Sequence, residues 1–299
     1  MQDKQKIFLV FIGLALVICS ITGAAGYYID NVPGAVYGLE VGIIVSGIVA
    51  GCLYYLPAAV IIKLFGGKEV TKEDSPDFIR TIEEFAEIVD IPRPRLYLSD
   101  KDIPLIFTVG RDCTSASILL TEKLSNILYP EELTCVIMHE MALIKQDRIF
   151  RQTLVAFIAG ILTMFTTFEL WSALVTGFDQ EDDPAHRVIK FLALVLVTPP
   201  AVSLILIHLL IPSDREYIAD ATAIEFYNKP KVYIKMLEKM GRWFNDIRYE
   251  DMNPAYGLLN IVNPLPWTSD TEDDFYALFN THASIGERIE AIHMVGRQV

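Results

Sequence analysis

Two long stretches without a charged residue constrain this chain more than any other feature of its sequence. They cover residues 7–29 and 41–62. Each is longer than the roughly 20 residues that a helix needs to cross a hydrocarbon core of about 30 Å. A cleaved signal peptide is the alternative for the first stretch, but its length and the second stretch close behind it favour a helical span. Gly47 and Gly51 form a GxxxG pair, which favours close packing between helices.

Two more apolar stretches occur later, at residues 152–177 and 191–211. The first is interrupted by Glu169 and the second by the Pro199–Pro200 pair. A carboxylate inside a membrane lines a polar cavity or marks the point where a helix leaves the bilayer. With these two stretches we expect about four transmembrane helices.

Lysine and arginine near the ends of these stretches predict their orientation, because cytoplasmic loops carry an excess of basic residues. Residues 30–40 contain neither, and the second short loop contains Arg187 and Lys190. The opposite ends carry Lys4, Lys6, Lys63, Lys68, Lys72, Lys145, Arg148, Arg151 and Arg215. We therefore expect a multi-pass protein of the cell (plasma) membrane, with both termini and all large polar segments in the cytoplasm.

The formal net charge of −13 disfavours nucleic acid as a partner, since phosphate binding requires a basic patch. The lipid bilayer is the partner that the apolar stretches predict, and the oligomeric state is left open. The four cysteines do not suggest a disulfide framework, because two lie in apolar stretches and two on the predicted reducing side of the membrane. They are Cys19, Cys52, Cys113 and Cys135.

The apolar stretches divide the chain into four parts. These are transmembrane residues 1–64, polar residues 65–151, transmembrane residues 152–211 and polar residues 212–299. We expect the two polar parts to pack together as one cytosolic domain that is mostly helical. The predicted helices are SPDFIRTIEEFAEIV, YPEELTCVIMHEMALIKQDR, DREYIADATAIEFY, PKVYIKMLEKMGRWF and ASIGERIEAIHMVG. The runs RLYLS, PLIFTVG and SASILLT predict a small sheet, and NPAYGLLNIVNPLPW reads as a loop.

A metal-binding pattern with one residue missing lies in CVIMHEMALIKQDR, residues 135–148. A zinc-peptidase helix carries two histidines four residues apart, because positions i and i+4 share a face with a rise of about 6 Å. The glutamate after the first histidine then acts as general base on the metal-bound water. His139 and Glu140 match this pattern, but Leu143 occupies the position of the second histidine.

Each candidate residue also has an ordinary interpretation. A lone His–Glu pair in an apolar helix is more often a partly buried histidine beside a solvated carboxylate. Glu216, in SDRE, fits a capping box in which its side chain bonds back to the backbone of Ser213. Asp220, four residues later, is then an exposed carboxylate without a function.

The order of four motifs changes this balance. The chain resembles the HtpX-type integral-membrane zinc metalloproteases, relatives of the CAAX prenyl proteases. The matching stretches are FTVGRDCTSASILLTEKLSNILYPEELTCVIMHEMALIKQDR, REYIADATA and NTHASIGERIEAI, together with the placing of the apolar stretches. In the last motif Ala283 stands where the family has proline. The resemblance covers nearly the whole chain and implies an α+β membrane protein with a zincin-like metallopeptidase domain.

The resemblance implies a role for each matched residue. His139 and Glu216 are zinc ligands, and Glu140 is the catalytic general base and acid. Asp220 orients a ligand, as carboxylates behind metal ligands commonly do. His282 and Arg288 lie near the catalytic centre and support the oxyanion or Glu216. The implied cofactor is one Zn²⁺ per chain, and the implied substrates are membrane or misfolded proteins cleaved at the cytosolic face.

Leu143 departs from the family pattern, because leucine cannot coordinate zinc. Losing a group that merely supports a ligand costs about 10–100-fold in affinity or activity, so losing a ligand should cost more. We expect weak or absent zinc and little or no proteolysis. His282 is the stronger candidate for a substitute ligand, and Cys135, four residues before His139, is the weaker. His186, His208 and His293 are the remaining histidines.

Three functional hypotheses follow. The first is a membrane zinc protease that carries an inactivating change at position 143, which a single nucleotide change from histidine explains. The second is a pseudoprotease that holds peptide segments in the old cleft as a binding or regulatory protein. The third is a small transporter with an incidental His–Glu pair, which the long polar segments and the order of the motifs disfavour.

Overall fold

The computed structural model describes residues 2–163, 202–212, 214–246, 253–263 and 280–295. The chain forms two compact units, Met1–Val60 and Ile61–Val299, and each is described by itself. The first unit consists almost entirely of helix α1 (Gln2–Tyr55). The second unit carries all the predicted site residues.

Helix α1 is a helical hairpin rather than one straight rod. Its backbone leaves the helical conformation at Asp30, and Asn31 adopts a positive φ of 51°. Asparagine tolerates this left-handed conformation better than most residues. Pro33 follows, and its missing N–H suits the first turn of the second arm. The two arms, residues 2–29 and 32–55, are each long enough to cross a bilayer.

Glycines allow the two arms of α1 to approach closely. A Cβ atom on Gly26 would overlap the carbonyl oxygen of Gly34, and a Cβ atom on Gly38 would overlap that of Thr22. Small residues at such a contact let two backbones meet, which is how helices associate in lipid. The GxxxG spacing predicts close packing at Gly47 and Gly51, but a Cβ on either glycine would meet no atom within 4 Å among the described residues. Close packing therefore occurs, but at different glycines.

The segment Ile7–Tyr55 is the one helix in the described part of the chain that is long and apolar enough to cross a membrane, with a mean hydropathy of 2.6. Large apolar side chains such as Phe8, Leu16 and Tyr28 are exposed along it. The third predicted stretch is described as a helix up to residue 163 and the fourth as a helix over residues 202–210. The rest of both stretches, with Glu169, His186 and the proline pair, lies outside the described residues.

Substitution of Gly26 by valine should destabilise the hairpin, because the new side chain would force the two arms apart. Overpacking a tight contact costs typically about 1–3 kcal/mol, so we expect a lower midpoint of thermal unfolding, followed by circular dichroism in detergent. Gly47→Val is the matched control, since it adds the same side chain to the other arm at a position that faces open space. An equal effect of both substitutions would contradict the glycine contact.

The second unit begins within helix α2 (Pro57–Leu64) and contains a small sheet surrounded by helices. Its first elements are β1 (Lys68–Glu69), α3 (Pro76–Val89), β2 (Arg95–Ser99), β3 (Ile106–Val109), β4 (Ser117–Thr121), α4 (Glu122–Ile127), α5 (Pro130–Lys145) and α6 (Ile149–Thr163). The later described elements are α7 (202–210), α8 (Arg215–Tyr227), α9 (Pro230–Asp246), a 3-10 helix (Pro254–Leu259) and α10 (Ile285–Val295). The predicted helices and strands of the two polar parts are confirmed, and the predicted loop contains the 3-10 helix.

The four strands lie in the order β1-β2-β4-β3. β2 and β4 are parallel, while β1 and β3 pair antiparallel with their neighbours. Strands β3 and β4 are buried along their whole length, which explains why they read as continuous apolar runs. Strand β3 is an edge strand, and its Phe107 forms an isolated antiparallel bridge with Asn260 of the second polar part.

Helix α5 is the central element of this unit. Every residue from Cys135 to Ile144 is buried, so the helix is covered on all sides. It packs against α8, α9, α3 and β3. A helix buried all round needs no polar face, and polar side chains within it must find partners inside the protein. His139 and Glu140 are such side chains.

Candidate functional site

Helix α5 begins with strong local signals and carries the candidate motif in its interior. Pro130 occupies the first turn, and the Glu132 carboxylate accepts a hydrogen bond of 2.9 Å from the backbone N–H of Tyr129. These features fix the start of the helix, because they satisfy backbone donors that have no partner in its first turn. His139 and Glu140 then fall in the third turn, both with no exposed surface.

Helix α8 brings two carboxylates to the ring of His139. Glu216 and Asp220 lie one turn apart on the buried face of α8. Glu216 Oε2 lies 3.3 Å from His139 Nε2, and Asp220 Oδ1 lies 2.9 Å from His139 Nδ1. Each ring nitrogen of this histidine is therefore faced by a carboxylate.

The interpretation of Asp220 as an exposed carboxylate is wrong, and Glu216 is buried as well. Glu216 is 2% exposed and Asp220 is 1% exposed. The cap of α8 is Asp214, which makes no side-chain capping bond, and Ser213 lies outside the described residues. Burying a carboxylate without a partner costs folding free energy, and both of these carboxylates lie against groups that can carry a positive charge.

Arg288 of α10 and Tyr233 of α9 complete the surroundings of Asp220. Arg288 donates hydrogen bonds of 2.7 Å from Nε to Oδ2 and from Nη2 to Oδ1. Such a two-point guanidinium–carboxylate contact is among the strongest polar contacts in proteins. The Tyr233 hydroxyl donates to Asp220 Oδ1 at 2.6 Å and lies 2.8 Å from His139 Nδ1. Tyr233 thereby links the ion pair to the imidazole.

A further set of contacts surrounds Glu216. Arg215 Nε donates to Glu216 Oε1 at 2.8 Å, and His282 Nδ1 lies 3.4 Å from the same oxygen. Arg288 Nη1 lies 3.6 Å from Oε2. With His139, two guanidinium groups and two imidazoles face this carboxylate. We call the set of His139, Glu140, Arg215, Glu216, Asp220, Tyr233, His282 and Arg288 the charged cluster.

Backbone carbonyls in and just after the 3-10 helix contact two guanidinium groups and one imidazole of the charged cluster. Arg215 Nη2 and Arg288 Nη1 each donate to one carbonyl, and His282 Nε2 lies 3.1 Å from another. The three acceptors are the carbonyls of Leu258, Ile261 and Gly257, respectively. The segment that reads as a loop in the sequence is therefore part of the wall of the site.

Several buried polar atoms of the charged cluster have no hydrogen-bond partner among the described residues. They are His139 Nε2, both carboxylate oxygens of Glu140, Arg215 Nη1, Glu216 Oε2 and His282 Nδ1. Buried polar atoms are normally satisfied, and clusters of unsatisfied ones mark sites where something else binds or reacts. All of these atoms lie on α5, on α8 or next to Glu216.

The pKa values of the two α8 carboxylates are lowered by their cationic neighbours. Burial by itself would raise the pKa of Glu216, but the Arg215 guanidinium and the His139 ring outweigh it and hold that pKa well below its ordinary value. Burial acts in the same sense on Asp220, and there Arg288 outweighs it and lowers the pKa. Both groups are therefore carboxylates at neutral pH.

Two imidazoles and one further carboxyl group of the charged cluster respond differently to burial. Burial would lower the pKa of His139, but Asp220 and Glu216 raise it to about 9. Burial lowers the pKa of His282 to about 3, which leaves this ring neutral. Burial raises the pKa of Glu140 to about 7, which is close to the value that suits a general base at neutral pH.

Comparison with known proteins assigns the family. Residues 72–295 match the Peptidase family M48. The chain belongs to this family. Relatives of this HtpX-type M48 protease include the protease HtpX homolog of Persephonella marina, which is 31% identical over 89% of this chain and 92% of the relative. The protease HtpX homolog of Pyrococcus furiosus is 29% identical, over 92% of this chain and 91% of the relative.

A solved structure has a looser likeness to the M48 protease. The crystal structure of S. mikatae Ste24p has a TM-score of 0.44 and 20% identity, over 96% of this chain and 66% of that chain. A likeness at this level does not bear on the architecture or on the site.

M48 metallopeptidases depend on zinc, and the side chains present here match such an ion only in part. Zinc bonds of about 2.0–2.1 Å in tetrahedral geometry place two donor atoms about 3.3–3.4 Å apart, which is the separation of His139 Nε2 and Glu216 Oε2. Leu143, however, offers no donor. Within the described residues, no three histidine, cysteine, aspartate or glutamate side chains form a group that could hold a metal ion. The donor set therefore does not fit a zinc ion with three protein ligands.

The two candidates for a substitute ligand differ. Cys135 is buried, and burial raises its pKa to about 12, so the thiolate that zinc requires is disfavoured. His282 does reach the charged cluster, but the Glu216 oxygen nearest to its Nδ1 already accepts a hydrogen bond from Arg215. His282 remains the candidate that an experiment should test.

The structure brings together all six residues singled out from the sequence. Sequence reasoning missed Arg215 and Tyr233. Arg215 directly precedes Glu216 in the quoted motif REYIADATA, so its neighbour could have pointed to it. Tyr233 had no such signal, because it lies on the apolar stripe of α9 and reads as an ordinary core residue.

Substitution of Arg288 by methionine should destabilise the protein strongly, because it leaves Asp220 as a buried charge without its main partner. Breaking one side of a buried ion pair typically costs about 3–5 kcal/mol. Arg80→Met is the matched control, since Arg80 pairs with Glu84 on the surface of α3 and such pairs contribute about 0.3–0.5 kcal/mol. Chemical unfolding in detergent measures both changes, and similar values for the two variants would contradict the buried pair.

Proposed function

We propose that this chain is an HtpX-type membrane metallopeptidase that binds zinc weakly and hydrolyses peptide bonds slowly or not at all. Its substrates are membrane or misfolded proteins at the cytosolic face. His139 and Glu216 are the zinc ligands that remain, and Glu140 is the general base. Asp220 orients His139, while His282 and Arg288 support Glu216. When bound, zinc would polarise the substrate carbonyl and lower the pKa of its water.

The observation that carries this proposal is the side chain at position 143. Leu143 lies one turn after His139 on the same helix and is 4% exposed. It therefore fills the place of a ligand with an apolar group inside the protein. His139 and Glu216 lie 3.3 Å apart inside the charged cluster, which supports position 143 as the point at which the zinc site lacks a ligand.

The placement in the membrane is part of the same proposal. The α1 hairpin has two arms of sufficient length, and the apolar stretches at residues 152–177 and 191–211 are the other two proposed spans. The basic residues at the ends of the four stretches support a cytoplasmic location for both termini and the peptidase domain. The peptidase domain consists of the two polar parts, residues 65–151 and 212–299, and is zincin-like.

Replacement of Leu143 by histidine should restore both zinc and activity, because it supplies the third donor at i+4 from His139. We expect about one zinc per chain in this variant, measured by mass spectrometry, and cleavage of casein in detergent. The parent chain should bind zinc more than about 100-fold more weakly, beyond the cost of losing a supporting group, and should leave casein intact.

Ile144→His is the control for the added imidazole, since it introduces the same group one position away on α5. It should restore neither zinc nor cleavage. If Leu143→His gains no zinc and no activity, the proposal is wrong. Stoichiometric zinc in the parent chain would also contradict it and would point to a substitute ligand, which His282→Ala then tests.

In the Leu143→His protein, Tyr233→Phe should lower zinc affinity. The Tyr233 hydroxyl bridges Asp220 and His139 Nδ1, and groups that hold a histidine ligand in this way contribute about 10–100-fold to metal affinity. Tyr217→Phe is the control, because its hydroxyl bonds Glu287 outside the charged cluster. Competition with a zinc chelator measures both affinities, and equal values would remove Tyr233 from this role.

The second candidate function is a pseudoprotease that binds peptide segments without cleaving them. The observation that favours it is a cavity beside the charged cluster, with mostly apolar walls. A pseudoprotease would bind peptides without cleaving them, whereas a chain without function would neither bind nor cleave them. Measuring peptide binding by the parent chain distinguishes the two.

A further inference from the structure

A cavity of about 280 Å³ adjoins the charged cluster. It lies between α9, the residues that follow the 3-10 helix and the start of α10. Two of its wall residues, His282 and Arg288, also face Glu216. One layer of side chains therefore separates the cavity from the carboxylate at the centre of the site.

The size and walls of the cavity suit one apolar side chain. Sites for drug-sized ligands occupy about 300–1,000 Å³, so this space falls just below that range. Phe244, Val262 and Ile285 line it from three different elements. The two side chains of the charged cluster on its wall already have partners in the protein, since Arg288 pairs with Asp220 and His282 Nε2 lies 3.1 Å from Gly257 O. An apolar occupant is therefore favoured over a charged one.

Gly241 sets the size of this cavity on the side of α9. It lines the cavity and has no side chain to fill it. A Cβ atom at this position would overlap Ile285 Cδ1. A larger residue at 241 would thus displace Ile285 or occupy the cavity itself.

We propose that this cavity is a specificity pocket, which binds one leucine- or phenylalanine-sized side chain of a peptide in the cleft, with Gly241 and Ile285 as its size determinants. The proposal rests on the proposed function, because the peptide is a substrate or ligand of the same site. Binding in the pocket would place the peptide against His282 and Arg288, on the wall that the cavity shares with the charged cluster.

The test uses fluorescent peptides from one casein segment that differ at a single position, occupied by alanine, leucine, phenylalanine or glutamate. Binding to the full parent chain in detergent is followed by fluorescence anisotropy. One additional methylene group in an apolar pocket changes the discrimination between two ligands by about 10–200-fold. We expect leucine and phenylalanine peptides to bind at least about 10-fold more tightly than the alanine peptide, and the glutamate peptide to bind most weakly.

Gly241→Val should reduce the ratio of the affinities for the leucine and alanine peptides to about one, because the valine side chain fills the pocket. Gly286→Val should leave this ratio unchanged. Gly286 is the matched control, since it lies next to Ile285 and a Cβ there meets nothing within 4 Å. Ile285→Ala should enlarge the pocket and shift the preference from leucine to phenylalanine. Equal binding of all four peptides by the parent chain, or a leucine preference that survives Gly241→Val, would overturn the pocket.

The same peptides separate failure of the pocket from failure of the proposed function. If Leu143→His gains neither zinc nor activity while the parent chain still prefers leucine, the metallopeptidase proposal fails and the pocket stands. If Leu143→His cleaves casein at positions without any preference for a neighbouring large apolar residue, the proposed function stands and the pocket fails.

Discussion

The buried ion pair between Asp220 and Arg288 is the contact on which the geometry of the site depends. It joins α8 to α10 and, through Tyr233 and His139, reaches α9 and α5. A buried charge that loses its partner is strongly destabilising, so these four helices must meet at the same place. That requirement holds His139 beside Glu216, even though leucine occupies position 143.

The positive and negative charges of the charged cluster largely offset one another. Arg215, Arg288 and the protonated ring of His139 are positive, while Glu216, Asp220 and a partly ionised Glu140 are negative. Because the pKa of His139 is raised to about 9 by the two carboxylates of α8, the histidine itself contributes a positive charge between them. A cluster of this kind keeps α5 and α8 together without a third ligand, which explains how the site retains its shape despite Leu143.

Much of the fold was predictable because local patterns and the tertiary structure agree. The strand at residues 95–99 and helices α3, α5, α8 and α9 follow from apolar spacing, proline positions and acidic residues in the first turn. The close contact in the α1 hairpin was harder to place. GxxxG spacing drew attention to Gly47 and Gly51, whereas the contact depends on which glycines the turn at Asn31 sets opposite each other. Spacing along one helix does not contain that information.

The sequence by itself determined the apolar stretches, the family pattern and the missing donor at position 143, since these depend on the order and identity of residues. The tertiary structure alone decided that Tyr233 reaches His139, that carbonyls in and just after the 3-10 helix bind Arg215 and Arg288, and that a cavity lies against His282. The hydrogen bonds among these contacts join residues 27 to 94 positions apart. No periodicity or motif encodes them, because they arise from the way in which helices with separate local causes pack around one buried charge cluster.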